Sequence, residues 1–212
     1  MTVFPVLPRT RARRLGLADS GPAPLRLAAF GSSTTEGSGS SGPAHTYPAV
    51  MRRTMLPQFP GGIVLVNHGI GGDTAIMMDA RIGAVIDQRP DLVVWQTGSN
   101  DPLQEVPLAT FERLTRDGID RLRATGTDLV LVDQQYCRAL DECPTAPSFL
   151  DALHRIATDM NVPLFDRHAR MLDWCARLDL ARDTLSPDGL HMADRGYALL
   201  GEALAGWLLD HA

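Results

Sequence analysis

Short apolar runs alternate with longer amphipathic segments along this chain, and this alternation limits the possible fold more than any other feature. Five runs are rich in β-branched residues and bounded by Gly, Pro or Asp, which is typical of strands buried on both faces. They are Leu25 to Phe30, Ile63 to Gly69, Asp91 to Gly98, Asp128 to Tyr136 and Val162 to Phe165. Helical periodicity fills most of the intervals. The predicted helices span residues 47–56, 73–88, 111–124, 148–160, 168–178 and 194–209.

Strand–helix alternation predicts a parallel sheet with right-handed crossovers and helices on both faces. The 212 residues suit one domain, and no repeat or linker divides them. We therefore predict a single α/β domain over residues 1–212, with residues 1–22 as an N-terminal extension and about five strands in the central sheet. Ligands of such sheets bind at the carboxyl ends of the strands, so the residues that follow each run are the candidates for function.

Charge and composition exclude several classes of protein. A formal net charge of −5 argues against a nucleic-acid partner, because phosphate binding needs a basic face. The arginines at positions 9, 11, 13 and 14 are interpreted as a solvated terminal segment. No apolar run reaches membrane-spanning length, and prolines and arginines interrupt the N-terminal segment where a signal peptide would have its apolar core. We expect a cytoplasmic protein without membrane insertion, with secretion as the alternative.

Cysteine usage gives no sign of a metal or a disulfide framework. The three cysteines, Cys137, Cys143 and Cys175, lack the histidine pattern of a zinc site. Cys137 and Cys143 are close enough in sequence to bridge in an oxidising compartment, and plain thiols are the alternative. We predict no metal and no organic cofactor. The sequence does not indicate an oligomeric state.

The turn after the first strand reads Gly31-Ser32-Ser33-Thr34-Thr35-Glu36-Gly37. A phosphate loop would need a lysine, and the chain contains none; a dinucleotide fingerprint would need a second glycine two residues after Gly31. A serine on a tight strand-to-helix turn remains, and such a turn exposes a hydroxyl above the sheet.

Three later turns offer the groups that a nucleophilic serine needs. Gly72, after the second strand, leaves a backbone N–H open to a ligand, and Asn100, after the third, can direct its amide toward a developing oxyanion. Asp73 or Thr74 is predicted to cap the helix that follows Gly72. Asp188 and His191 lie three residues apart before the last helix, so that the carboxylate can hold Nδ1 and leave Nε2 free to accept a proton.

The four blocks "FGSSTTEG", "NHGIGGDT", "GSND" and "DGLH" resemble those of the SGNH hydrolases, also called the GDSL esterase/lipase family. The resemblance spans Phe30 to His191. It implies a flavodoxin-like three-layer α/β/α sandwich and a serine esterase that cleaves carboxylic esters through an acyl-enzyme. It implies Ser33 as nucleophile, His191 as general base and Asp188 as the residue that orients it. The implied oxyanion hole consists of Ser33, Gly72 and Asn100.

One position departs from the family pattern. The usual Gly-Asp-Ser is Gly31-Ser32-Ser33 here, so a hydroxyl replaces the carboxylate that supports the oxyanion loop, and Ser32 competes with Ser33 as nucleophile. Register with Gly31 favours Ser33.

Several activities fit the same residues. The expected partner is a small-molecule ester, such as a short-chain or acetyl ester of a small molecule or carbohydrate. A thioesterase or lysophospholipase acting on longer acyl chains and an acyltransferase are alternatives. A flavodoxin-like binding module without catalysis is the non-enzymatic alternative.

Overall fold

A computed structural model describes residues 7–17 and 22–212. Its centre is one parallel sheet of five strands in the order β2-β1-β3-β4-β5. The strands are β1 (Leu25–Gly31), β2 (Ile63–Gly69), β3 (Leu92–Gln96), β4 (Asp128–Val132) and β5 (Leu164–Phe165). This is the flavodoxin-like strand order, and it reverses between β1 and β3. The predicted α/β fold with five parallel strands is confirmed.

Eleven α-helices are assigned in the described part of the chain, which includes all six predicted helices. The long ones are α3 (Tyr47–Met55), α4 (Ala75–Ile86), α6 (Leu108–Arg123), α8 (Ala146–Asp159), α9 (Arg167–Arg177) and α11 (Asp194–His211). The short ones are α1 (Pro8–Arg14), α2 (Ser33–Glu36), α5 (Asn100–Leu103), α7 (Arg138–Asp141) and α10 (Arg182–Leu185). Two 3₁₀ turns flank α3, at Pro43–His45 and Leu56–Gln58. The short elements lie in connections whose patterns are too brief for periodicity to reveal.

Alternate side chains of the strands supply two separate cores. Leu27, Val94 and Val130 face the layer formed by α3, α9 and α11. Val93, Trp95 and Leu131 face the layer formed by α4, α6 and α8. Trp95 is buried in this second core, as its place within a strand predicts. The two cores make the molecule a three-layer sandwich, since a strand's successive side chains point to opposite faces.

The second strand differs from the prediction of a strand buried on both faces. β2 is the outer strand beside β1, and Val64 within it is 52% exposed. Position in the sheet decides this, because only one side of an edge strand is paired and its flanking helices cover less of it.

Part of the predicted N-terminal extension packs on the domain. Thr10 in α1 is buried, and its backbone N–H and hydroxyl both donate to Asp128 at the start of β4. Arg13 pairs with Asp91 at 3.2 Å, and Arg14 donates to the backbone oxygens of Leu209 in α11 and of Ala212. Two of the four arginines, Arg13 and Arg14, therefore bind the rest of the domain, whereas Arg9 and Arg11 are exposed as predicted.

Candidate active site

Ser33 is the first residue of α2, two residues after the carboxyl end of β1. It is 7% exposed, and its Oγ makes no hydrogen bond within the described residues. Ser32 is 2% exposed, and its Oγ donates to Gln96 Oε1 at 3.0 Å. The two adjacent hydroxyls therefore differ, since that of Ser32 is hydrogen-bonded in the protein interior and that of Ser33 is free.

Gly71 and Gly72 bring the loop after β2 beside this serine. A Cβ added to Gly71 would lie 4.0 Å from Ser33 Cβ and 2.9 Å from Glu36 Oε2. Gly72 has φ +82°, a conformation that favours glycine, and a Cβ there would meet nothing within 4 Å. Its carbonyl accepts from Gln104 Nε2 at 2.6 Å, while its N–H has no partner in the part of the chain that is described. The loop thus presents an open backbone donor.

Asn100 begins α5 after the carboxyl end of β3. Its Nδ2 donates to the backbone oxygen of Asp73 at 2.9 Å, which ties the third turn to the loop that carries Gly72. An amide nitrogen has two hydrogens, so one remains for another acceptor.

Asp101, next in the chain, caps α4 in place of the predicted residues. Its Oδ1 accepts the N–H of Ala75 at 2.8 Å, and burial raises its pKa to about 6. Of the two predicted capping residues, Thr74 is at the N-cap position, but neither side chain accepts a hydrogen bond from the first turn of α4. Asp73 is drawn away by an ion pair with Arg81 at 2.6 Å.

Asp188 and His191 form a hydrogen-bonded pair on the loop before α11. Asp188 Oδ2 lies 2.7 Å from His191 Nδ1, and Oδ1 accepts the N–H groups of Leu190 at 2.8 Å and His191 at 2.6 Å. Partial burial acts to raise the Asp188 pKa, but these backbone donors and the His191 ring outweigh it, so the pKa is lowered. His191 Nε2 has no hydrogen-bond partner among the described residues.

The loop over residues 37–42, which follows α2, contacts the segment that holds Asp188 and His191. A Cβ on Gly39 would lie 3.2 Å from His191 Cβ and 2.6 Å from the backbone oxygen of Met192. Ser38 accepts the Tyr197 hydroxyl at 2.6 Å, and Ser41 binds Asp194 through its N–H and its hydroxyl. His191 therefore packs against the chain that leads away from Ser33, although no hydrogen bond joins Ser33 Oγ to the imidazole.

A groove of about 430 Å³ lies beside α2 and the edge strand β2. Its lining carries polar groups from both elements, among them Glu36, Ser38 and Asn67. Ser38 Oγ donates to Glu36 Oε2 at 3.0 Å. Because Glu36 also flanks Gly71, the groove adjoins the serine turn.

Two other predictions concern residues outside these turns. Cys137, Cys143 and Cys175 are free thiols, so Cys137 and Cys143 are not bridged. Within the described residues, one group has the spacing of metal ligands: Asp133, His154 and Asp166, with ligand atoms within 4.8 Å of one another. His154 Nε2 is 2.7 Å from Asp133 Oδ2, and Asp166 caps α9 by accepting from Ala169. All three side chains of this cluster therefore already have hydrogen-bond partners within the protein.

Three buried polar residues beneath the turns were not predicted to support the site. Gln96 ends β3, Gln135 follows β4, and Arg167 begins α9; all three are almost wholly buried. A polar residue at the end of an apolar strand, as in "LVVWQ", is the only signal that could have indicated Gln96. Nothing local marks Arg167, which is fully buried and reaches Gln135 across the fold at 2.8 Å.

The strand order brings the turns after β1, β2 and β3 to one end of the sheet, as expected for the class of SGNH-like hydrolases. Within that class, the chain belongs to the non-GDSL lipase-like family, whose model matches residues 10–212.

Solved structures share the fold. A lipolytic protein of the G-D-S-L family from Desulfitobacterium hafniense DCB-2 is 23% identical with a TM-score of 0.71, over 85% of this chain and 98% of that one. A catalytic mutant of an acetylxylan esterase from Geobacillus stearothermophilus is 21% identical with a TM-score of 0.75, over 88% and 94%. A two-domain esterase active on acetylated mannans is 24% identical with a TM-score of 0.77, over 94% of this chain but 53% of that protein. A comparison with curated proteins finds no significant match.

Among the described residues, no helix has both the length and the apolarity needed to cross a membrane.

Proposed function

We propose that this protein is a serine esterase in which Ser33 attacks the acyl carbonyl and His191 accepts the serine proton. The Asp188–His191 pair is the observation that carries the proposal. The carboxylate bonds Nδ1 at 2.7 Å and is itself held by two backbone N–H groups. This arrangement fixes the ring tautomer and leaves Nε2 as the proton acceptor.

The free hydroxyl of Ser33 supports its assignment over Ser32, whose Oγ is committed to Gln96. A lone serine is a weak nucleophile and needs a base within reach. The bond between Ser33 and His191 is absent from this structure, and catalytic hydrogen bonds often tighten only when substrate is bound. Gly39 packs against His191, so the base lies beside the loop that follows α2.

Oxyanion stabilisation is assigned to the backbone N–H of Ser33, the backbone N–H of Gly72 and Nδ2 of Asn100. The open N–H of Gly72 and the second amide hydrogen of Asn100 are preorganised donors. After attack, His191 protonates the leaving alcohol, and water attacks the acyl-enzyme by the reverse path. No step of this sequence needs a metal or an organic cofactor.

Acetyl or other short-chain esters of carbohydrates are the proposed substrates. The polar groove beside α2, with the Glu36 carboxylate and the Ser38 hydroxyl, offers hydrogen-bond partners to a hydroxylated alcohol group. The esterases active on acetylated mannans and on acetylxylan that share this fold support the choice.

Longer acyl chains are a second candidate, because three exposed apolar side chains flank the Gly72 loop. Ile70, Ile76 and Met77 are 47%, 49% and 48% exposed. Exposed apolar groups beside a reaction site can receive an acyl chain.

A series of p-nitrophenyl esters from acetate to palmitate, run beside acetylated xylo-oligosaccharides, separates the two candidates. We expect acetate and the acetylated sugar to give the highest kcat/KM; a maximum at eight or more carbons favours the second. Ser33→Ala should abolish turnover, and Asn100→Ala should lower kcat about 10²–10³-fold without unfolding the protein.

Labelling with a serine-directed phosphonate, followed by peptide mass spectrometry, should place the adduct on Ser33. Label on Ser32, or wild-type turnover by Ser33→Ala, contradicts the assignment. A protein that takes no label and cleaves no ester would support a binding module. Ester formation with an added acceptor alcohol would identify an acyltransferase.

A further inference from the structure

Gln96 lies at the carboxyl end of the central strand, between the turn that carries Ser33 and the turn that carries Asn100. It is the last residue of β3, the strand between β1 and β4, and it is fully buried. Its Oε1 accepts the N–H and the Oγ–H of Ser32, both at 3.0 Å, and the Thr35 hydroxyl at 3.3 Å. The Gln96 amide oxygen therefore accepts three hydrogen bonds from the turn that contains Ser33.

The other half of the same amide reaches the turn of Asn100. Gln96 Nε2 donates to Ser99 Oγ at 3.4 Å, and Ser99 Oγ donates in turn to Gln135 Oε1 at 2.9 Å. Arg167, fully buried, fixes that oxygen by donating to it from Nη2 at 2.8 Å. Gln96 is thus hydrogen-bonded to the serine turn on one side and to the residue before Asn100 on the other.

The hydroxyl at position 32 explains why a side chain with an amide oxygen is compatible with position 96. A carboxylate at 32, as in the Gly-Asp-Ser pattern, would put an acceptor against Gln96 Oε1, whereas the Ser32 hydroxyl supplies a donor. Gly31 is also required, because a Cβ there would lie 2.3 Å from Thr35 Oγ1 and 2.8 Å from Gln96 Oε1. Glycine, serine and glutamine at 31, 32 and 96 therefore form one compatible set.

We propose that Gln96 is a positioning residue for ester hydrolysis, which sets the nucleophile turn and the Asn100 turn relative to each other. This inference rests on the proposed esterase activity. Gln96 contacts no reacting atom; it acts through Ser32 and Ser99. Loss of its two-sided bonding should therefore lower kcat and leave KM little changed, because small misplacements of reacting groups are costly in rate.

Three variants test the proposal. Gln96→Leu removes both functions of the amide, and Gln96→Glu keeps the acceptor for Ser32. Thr10→Val is the matched control, because it removes a buried hydroxyl bond, to Asp128 at 2.8 Å, at the opposite edge of the sheet. For each we would measure kcat and KM on p-nitrophenyl acetate, the rate of phosphonate labelling and the thermal midpoint.

We expect Gln96→Leu to lower kcat and the labelling rate at least about 10-fold, with KM within about 3-fold. Gln96→Glu should recover part of that loss, because it keeps the acceptor for Ser32 but has no amide hydrogen to donate to Ser99. Thr10→Val should lower only the thermal midpoint. Folded Gln96→Leu protein with the kcat of Thr10→Val would overturn the proposal, as would a Gln96→Glu protein no more active than the leucine variant.

If Gln96→Leu does not fold, Ser99→Ala cuts the link between the two turns and leaves the bonds to Ser32 intact. A several-fold fall in kcat at constant KM supports the proposal, and unchanged kcat refutes it. Failure of the esterase assignment is distinguishable, because it would appear as absent turnover in the wild-type protein.

Discussion

Replacing Asp188 by asparagine changes one oxygen of a side chain to an NH₂ group and preserves its size. In the folded protein, Oδ1 accepts two backbone N–H groups and Oδ2 receives His191 Nδ1. An amide can accept from the two backbone donors only through its oxygen, so its NH₂ group must face Nδ1. The ring must then accept at Nδ1 and carry its proton on Nε2. That is the atom assigned to take the proton from Ser33.

The expected loss follows from this tautomer. Forcing the wrong tautomer in a Ser-His-Asp hydrolase costs about 10⁴ in kcat. Each factor of ten corresponds to about 1.36 kcal/mol, so the barrier should rise by about 5 kcal/mol. Folding should change little, because the Asp188 side chain is 55% exposed.

The assay is the hydrolysis of p-nitrophenyl acetate, with circular dichroism to compare the folded fractions. Asp117→Asn is the matched control, since Asp117 forms an exposed ion pair with Arg113 on α6. It should keep wild-type kcat. Asp188→Asn protein that retains more than about one tenth of wild-type kcat would show that the pair does not set the protonation of the base.

Three further changes have defined outcomes. Gly39→Ala should lower kcat about 10-fold or more, because φ is +88° and the new Cβ would lie 3.2 Å from His191 Cβ; wild-type kcat would argue against close packing there. Burial raises the Asp101 pKa to about 6, so the folded state holds the proton more tightly than the unfolded state. Stability should then fall by up to about 3 kcal/mol as pH rises from about 4 through 6, and Asp101→Asn should remove this slope in urea titrations; equal slopes contradict it. Gly206→Ala, exposed within α11 with no atom within 4 Å of the new Cβ, should raise the free energy of unfolding by about 0.5–1 kcal/mol, and a decrease would contradict that helix assignment.

The sequence predicted the strands and long helices well where one periodic pattern continued over many residues. The second strand was predicted at the observed bounds, Ile63–Gly69, and α3 differs from its prediction by one residue at its end. Ends were less accurate where a strand leads into a functional turn. The third and fourth strands stop at Gln96 and Val132, before the predicted Gly98 and Tyr136, because the backbone leaves the sheet to form the turns.

Sequence alone also determined which residues are candidates for the site, because a serine, a glycine, an asparagine and an Asp–His pair follow separate runs or precede the last helix. It could not determine their relations in space. Three contacts join segments that are far apart in the chain. Asp101 accepts the first N–H group of α4, Gly39 packs against His191, and Gln96 joins two turns. Local patterns report the burial of a face, whereas a hydrogen bond between distant segments exists only once the sheet order has brought their ends together.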